Sequence, residues 1–206
     1  MAITSANRLL TISIFFNAFV VGGVLMGFEM LGSRYLFPYF GGGIDTWAAL
    51  ISTVLCALAI GYFAGGAIVG HYPSPRIIAG AILVAAIYLA LIPATADALM
   101  SRILNSIGDG PSAILLAAAA LLLVPLSLLG TFSPIAVRLL TRSAEESGGV
   151  AGLVYGISTI GNVVGTLLTT FTLIPTIGSR SITYLYAAAL AVCAGILFWP
   201  IGKQSS

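Results

Sequence analysis

Six apolar runs of about 20 residues, separated by short stretches of Pro, Gly and charge, constrain this chain more than any other feature. A run of that length in helical form crosses the hydrocarbon core of a bilayer, and lipid tolerates only helices or closed barrels because every backbone polar group must be satisfied internally. The first run continues from the Arg8 region to about Leu31. The others extend from about Asp45 to Gly70, Ile77 to Ala96, Ser112 to Phe132, Val150 to Ile177 and Ser181 to Pro200. The connections hold the breakers: Pro38 with Gly41, Gly42 and Gly43; Pro73 and Pro75; Asp109, Gly110 and Pro111; Ser147, Gly148 and Gly149; Gly178. The expected fold is all-α, a single transmembrane domain over residues 1–206 built as a bundle of about six helices.

Composition agrees. The chain is 59% hydrophobic and 7% charged, against about a quarter charged in soluble domains. Arg8 ahead of the first run resembles the start of a signal peptide, but the run reaches spanning length without a clean small-x-small cleavage site before Glu29, so this span is expected to stay. A net charge of +2 with scattered Lys and Arg offers no basic patch for phosphates, which excludes nucleic acid as a partner. Cys56 and Cys193 lie in apolar runs without CxxC or Cys/His spacing; both read as packing residues, and no metal is expected. His71, the single histidine, is expected in a solvated loop, where a catalytic triad has no support. No catalytic residue and no cofactor is assigned.

Charge bias in the loops sets an expected orientation. Arg8, Arg76, Arg138, Arg142 and Lys203 fall on one side, and Arg34, Arg102 and Arg180 on the other. The excess places both termini in the cytoplasm of a bacterial-type inner (plasma) membrane.

Against so apolar a background, the polar residues at depth are the candidate sites, because an ionisable residue within a span costs several kcal/mol and marks function by default. Glu29 and Arg34 are five positions apart. They either cap the end of the first span as an interfacial ion pair, brought together by a bend or loop near Gly32, or Glu29 supplies the charge of a cation or proton site. Tyr39, Asp45 and Trp47, with Tyr35, Phe37 and Phe40, are either an interfacial aromatic belt or an aromatic and acidic vestibule suited to an amine. Pro134 breaks a helix or starts one with Ser133 as its cap, putting Arg138 and Arg142 one turn apart on a short helix that would dock lipid headgroups or a soluble partner. Tyr155, Ser158, Thr159 and Asn162 in the fifth span are interhelical glue or the second wall of a polar pocket whose first wall is Glu29. Gly61, Gly65, Gly66 and Gly70, and the pairs Gly152/Gly156 and Gly161/Gly165, offer small faces for close helix packing.

The run Glu29-x4-Arg34-x3-Pro38-Tyr39-Phe40-Gly41, then Trp47, Gly61-Tyr62-x2-Gly65-Gly66, Ser133-Pro134-x3-Arg138-Leu139, Gly152-x2-Tyr155-x2-Ser158-Thr159-x-Gly161-x3-Gly165-Thr166 and Leu173-Ile174-Pro175-x2-Gly178-x-Arg180 resembles the membrane portion of membrane-fused spermidine synthase-like proteins. The resemblance covers about Gly27 to Arg180. In that family a transmembrane bundle precedes a soluble aminopropyltransferase-like domain with a glycine-rich loop and acidic residues; these 206 residues hold no such loop, so only the membrane half carries over and aminopropyl transfer is not expected. Six spans also equal half of a major facilitator transporter, but Gly66 to Arg76 lacks the acidic and paired basic residues typical of its second loop. The resemblance implies a non-catalytic protein that binds or passes a small polyamine-like cation through Glu29, Arg34, Tyr39, Asp45, Trp47, Tyr155, Ser158 and Asn162, or that anchors a soluble synthase-like partner. The alternative is an accessory subunit packed into a larger membrane complex through its glycine faces.

Overall fold

The computed structural model describes residues 5–198. Met1 to Thr4, the expected sixth-span end at Pro200 and the orientation residue Lys203 lie outside the described residues.

Six helices long and apolar enough to cross a membrane make up the described chain, and no strand occurs among these residues. α1 spans Ser5–Phe40, α2 Ile44–His71, α3 Pro75–Ile107, α4 Pro111–Gly130, α5 Phe132–Leu140 and α6 Ser147–Leu168. A π-helical stretch, Thr169–Leu173, leads into the short α7 (Ile174–Thr176), and α8 spans Ser179–Phe198. α4 with α5, and α6 with the π stretch and α7, each form one crossing.

The helix ends follow local chemistry. Gly41 closes α1 in the left-handed region (φ 76°), its N–H donating to the Phe37 carbonyl at 3.0 Å, and Gly108 (φ 87°) does the same for α3 against Leu104 at 2.9 Å. Pro75 and Pro111 open α3 and α4, where a missing N–H costs nothing, and Ser74 caps α3 by accepting from the Arg76 N–H. α1 continues nine residues past the Leu31 expected from hydropathy and α3 runs on to Ile107, because Glu, Arg and Tyr are compatible with helix even where the chain ceases to be oily. At 36 residues α1 is about 54 Å long by its rise per residue. His71 is the last residue of α2 rather than a loop residue; it is exposed, with its ring nitrogen Nδ1 3.1 Å from the Ala67 carbonyl.

α1 is the axle of the bundle. It packs against α6, α8, α4 and α2, while α2 lies on α4 and α5, and α3 on α8 and α4. From Val21 to Leu36 nearly every α1 side chain is buried. The α1–α6 crossing is glycine against glycine. A Cβ built on Gly161 would overlap the backbone of Phe19, one on Gly165 the backbone of Gly23, and one on Gly27 the hydroxyls of Thr169 and Tyr186. The constant offset between these partners shows the two helices running parallel and in register, with the crossing at the middle of α1. On the other side of the bundle, Gly61 and Gly65 of α2 lie against Ser127, Gly130, Thr131 and Pro134, which seats α2 on the α4–α5 break. With no hydrophobic drive between helices in lipid, this backbone proximity is what holds them.

Not every small residue serves that end. Gly66, Gly70, Gly152 and Gly156 have nothing within 4 Å of a built Cβ. The packing role expected for Gly152 and Gly156 is corrected on geometry: half a helical turn separates them from the Gly161/Gly165 face, and they point away from α1. Cys56 likewise lies exposed on α2 rather than packed; Cys193 is buried, and both thiols are free.

Candidate functional site

Pro134 shapes the interior. Lacking an N–H, it gives nothing to the Gly130 carbonyl four residues back, and the helix breaks at Thr131, whose N–H is shared between the Ser127 and Leu128 carbonyls at 3.3 and 3.2 Å. Ser133 is inside the first turn of α5 and does not cap it; Thr131 holds the cap position, and its hydroxyl donates to Leu128 at 2.7 Å. The expected Ser133 cap is thereby corrected, and its hydroxyl is left for another use.

That use is a cavity of about 30 Å³ between α1 (Val21, Leu25), α2 (Leu58, Tyr62), the α4–α5 break (Gly130, Ser133) and α6 (Ser158, Asn162). It has room for a water or two. Thr95, Thr159, Thr169 and Thr183 each donate to a carbonyl of their own helix, whereas other hydroxyls in the spans, buried Thr53 and half-buried Thr170 among them, make no hydrogen bond among the described residues. Tyr62, Ser133, Ser158 and Asn162 make no hydrogen bond among the described residues, and the Asn162 Oδ1 is buried without a donor. No charged side chain lines the cavity. Gly22 makes the arrangement possible, since a Cβ there would stand 2.9 Å from Asn162 Oδ1 and 3.0 Å from Ser158 Oγ. On the outer side the Tyr62 and Tyr155 rings meet edge to face at 6.3 Å, each about two-fifths exposed (39% and 41%), joining α2 to α6.

Glu29 is buried in α1, with 7% of its surface exposed, and makes neither hydrogen bond nor ion pair among the described residues. It does not line the Ser158/Asn162 cavity, contrary to the expectation of two facing walls. In the α1–α6 register Asn162 is level with Val20, so Glu29 lies about 13 Å further along the axis. It shares a side of α1 with Leu25, one turn beyond the cavity edge. The expected pairing with Arg34 is also corrected: α1 runs unbroken through Gly32, which packs on Leu50 and Leu122, and Arg34 is exposed and without a partner among the described residues. Five residues on a straight helix place two side chains on different faces.

The remaining expected residues divide into separate places. Tyr39, Asp45 and Trp47 gather at the α1–α2 turn, Asp45 exposed, Tyr39 and Trp47 half-buried, with Phe37 edge-on to Trp47 at 6.1 Å. They lie about 15 Å beyond Glu29 along α1 and line no common pocket with the Asn162 cavity. Arg138 is exposed on α5, but α5 ends at Leu140, so Arg142 is on the connection to α6 and the two arginines do not share a helix as expected.

Tyr62 and Ser133, which the sequence offered as a motif residue and a helix cap, line the cavity, and Gly22, which the sequence reading passed over, lies against its Ser158 and Asn162. Asn17, fully buried in α1, donates to the Ser13 carbonyl and leaves its Oδ1 unpaired. The readable signals were there: Asn17 interrupts an apolar run, and Gly22-Gly23-x3-Gly27 repeats the small-residue spacing that was noticed only in the second and fifth spans. Two long-range hydroxyl bonds tie α8 to its neighbours. Thr183 donates to Ser179, so Tyr35 donates to Thr183 at 2.8 Å; Thr169 donates to Gly165, so Tyr186 donates to Thr169. The one ion pair among the described residues, Arg180 with Asp97, is mostly exposed and joins α8 to α3.

Fold and site together define the class: a multi-pass α-helical membrane protein with a small, uncharged cavity lined by hydroxyl and amide groups at the crossing of its central helices. No protein-family model, no curated protein and no solved structure matches the chain.

Proposed function

We propose that this is a non-catalytic inner-membrane protein that binds or passes a small ammonium-bearing solute of polyamine-like chemistry. The observation that carries the reading is a set of uncommitted polar groups: Asn162 Oδ1 buried without a donor, the hydroxyls of Ser133, Ser158 and Tyr62 making no hydrogen bond among the described residues, so that their lone pairs are open to an N–H, and the Glu29 carboxylate one turn beyond the cavity edge. A group that donates hydrogen bonds and carries positive charge matches such a lining. A whole polyamine exceeds about 30 Å³, whereas one ammonium head, close to a water in size, does not. The solute then enters head first, with Glu29 attracting the charge and the Tyr62–Tyr155 pair as the outer wall. The loop-charge bias favours both termini in the cytoplasm of a bacterial-type membrane, and a C-terminal reporter active only outside would overturn that. The test is uptake of labelled spermidine into proteoliposomes by wild type and Glu29→Gln. The reading expects uptake in wild type and its loss in the variant; equal uptake refutes the role of Glu29.

A second reading, an accessory subunit of a larger membrane complex, draws on the outward face of α6, where Gly152 and Gly156 lie open beside exposed Leu153, Ile160 and Val163. Enlarging Gly161 or Gly165 does not separate the two readings, because both glycines hold α1. Gly152→Leu with Gly156→Leu does: a subunit loses its co-purifying partner, and a self-contained binder keeps its ligand. Exposed Arg138 is the residue through which a separately encoded synthase-like protein would dock, and Arg138→Glu would release it.

A further inference from the structure

At the end of the bundle that carries Arg8, the first three turns of α1, the end of α5 and the start of α6 line a cleft of about 590 Å³. Its rim holds Arg8, Arg142 and Glu146, all exposed, and its wall is apolar, with Phe15, Leu140 and Val150. The three charges come from two separate parts of the chain and form no ion pair with one another among the described residues. Arg142 and Glu146 are four apart, but the segment between them is not helical, so the usual i,i+4 pairing does not neutralise them.

We propose that this cleft binds one phospholipid bearing a primary ammonium, of the phosphatidylethanolamine type. Two guanidiniums match the phosphodiester, which guanidinium recognises in fork geometry. Glu146 on the same rim is ill suited to a purely anionic head and well suited to an ammonium that donates to it. Along α1 from Arg8 to Phe15 the wall descends about 10 Å toward the membrane interior, the direction a glycerol and the start of an acyl chain would take. The site is separate from the Asn162 cavity and does not depend on its ligand.

The experiment is native mass spectrometry of the purified full chain exposed to equimolar phosphatidylethanolamine, phosphatidylcholine and phosphatidylglycerol of identical acyl chains. The ethanolamine lipid should be retained about fivefold over the choline lipid, since a quaternary ammonium cannot donate to Glu146. Glu146→Gln should erase that preference while leaving lipid bound, and Arg8→Ala with Arg142→Ala should remove most adducts of all three. Soluble phosphoethanolamine should give no adduct, because it has nothing to lay against the apolar wall. Preferential retention of phosphatidylglycerol, retention unaffected by the arginine substitutions, or an equal adduct from soluble phosphoethanolamine overturns the proposal. All three substituted residues are exposed, and unchanged thermal unfolding of each variant verifies that lost lipid is not lost fold.

Discussion

Replacing Gly165 by alanine puts a methyl group where the backbone of Gly23 already stands. The new Cβ would lie 2.5 Å from the Gly23 Cα and 2.6 Å from its carbonyl carbon, and closer still to the carbonyl oxygen. Carbon–carbon contacts are comfortable at about 3.5–4.0 Å, so α1 and α6 must part by about 1 Å. Both sides of the clash are backbone in the middle of long helices, and no side-chain rotation relieves it. Overpacking of this kind costs about 1–3 kcal/mol, and a 1 Å gap forfeits up to about half the attraction of the surrounding contacts, giving about 2–4 kcal/mol in all. For a chain of this length that is a fall in Tm of about 5–10 °C. Gly156→Ala is the matched control on the same helix: nothing lies within 4 Å of its Cβ, and alanine gains up to about 1 kcal/mol of helix propensity. Buried Cys193 provides the assay, since a thiol-reactive fluorogenic dye reports its exposure on heating once exposed Cys56 is changed to serine. If Gly165→Ala melts with Gly156→Ala, the glycine-on-glycine crossing does not hold the two helices.

Tyr186→Phe removes the hydroxyl that donates to Thr169 beside Gly27. Interhelical bonds in membranes average about 0.6 kcal/mol, so the same dye assay should show a loss of only about 1–3 °C; a fall as large as that of Gly165→Ala would mean the bond does more than join two helices. Glu145 lies fully in solvent on the connection before α6, and its own backbone N–H, followed by the Ser143 hydroxyl, holds its carboxyl below the ordinary range. Because the folded value is lowered, the carboxylate favours the folded connection above the unfolded pKa, and that preference disappears as pH falls through the folded one. Carbon-detected titration should find the Glu145 midpoint below that of an ordinary glutamate carboxyl, with Ser143→Ala moving it part of the way back.

The fold was legible because lipid simplifies the question: length and oiliness alone select six crossings, and Pro, Gly and Ser mark their ends. Hydropathy misplaced the ends of α1 and α3 for a physical reason, since it detects where a helix leaves oil and not where its hydrogen-bond ladder stops. The site was legible in composition but not in arrangement. Asn162 and Ser158 stood out as polar groups at depth, yet their partners are set by which helices run side by side. Gly22, with no side chain to mark it in the sequence, becomes essential only when α1 and α6 lie in parallel register. The same register separates Glu29 from Asn162 by about 13 Å, which the residue types alone could not reveal. Arg142 went the other way: grouped by sequence with Arg138, it is brought by the fold to the cleft of Arg8.

The most direct test of the central claim is equilibrium binding of spermidine to the detergent-purified protein by isothermal titration, in wild type and in Asn162→Val. Valine keeps the volume near Gly22 while removing the unpaired Oδ1. A hydrogen bond to a charged group is worth about 1.5–3 kcal/mol, so the account predicts binding in wild type and affinity weakened by about tenfold or more in the variant, with thermal unfolding unchanged. Equal affinity in the two proteins would contradict it, and so would the absence of binding in the wild type.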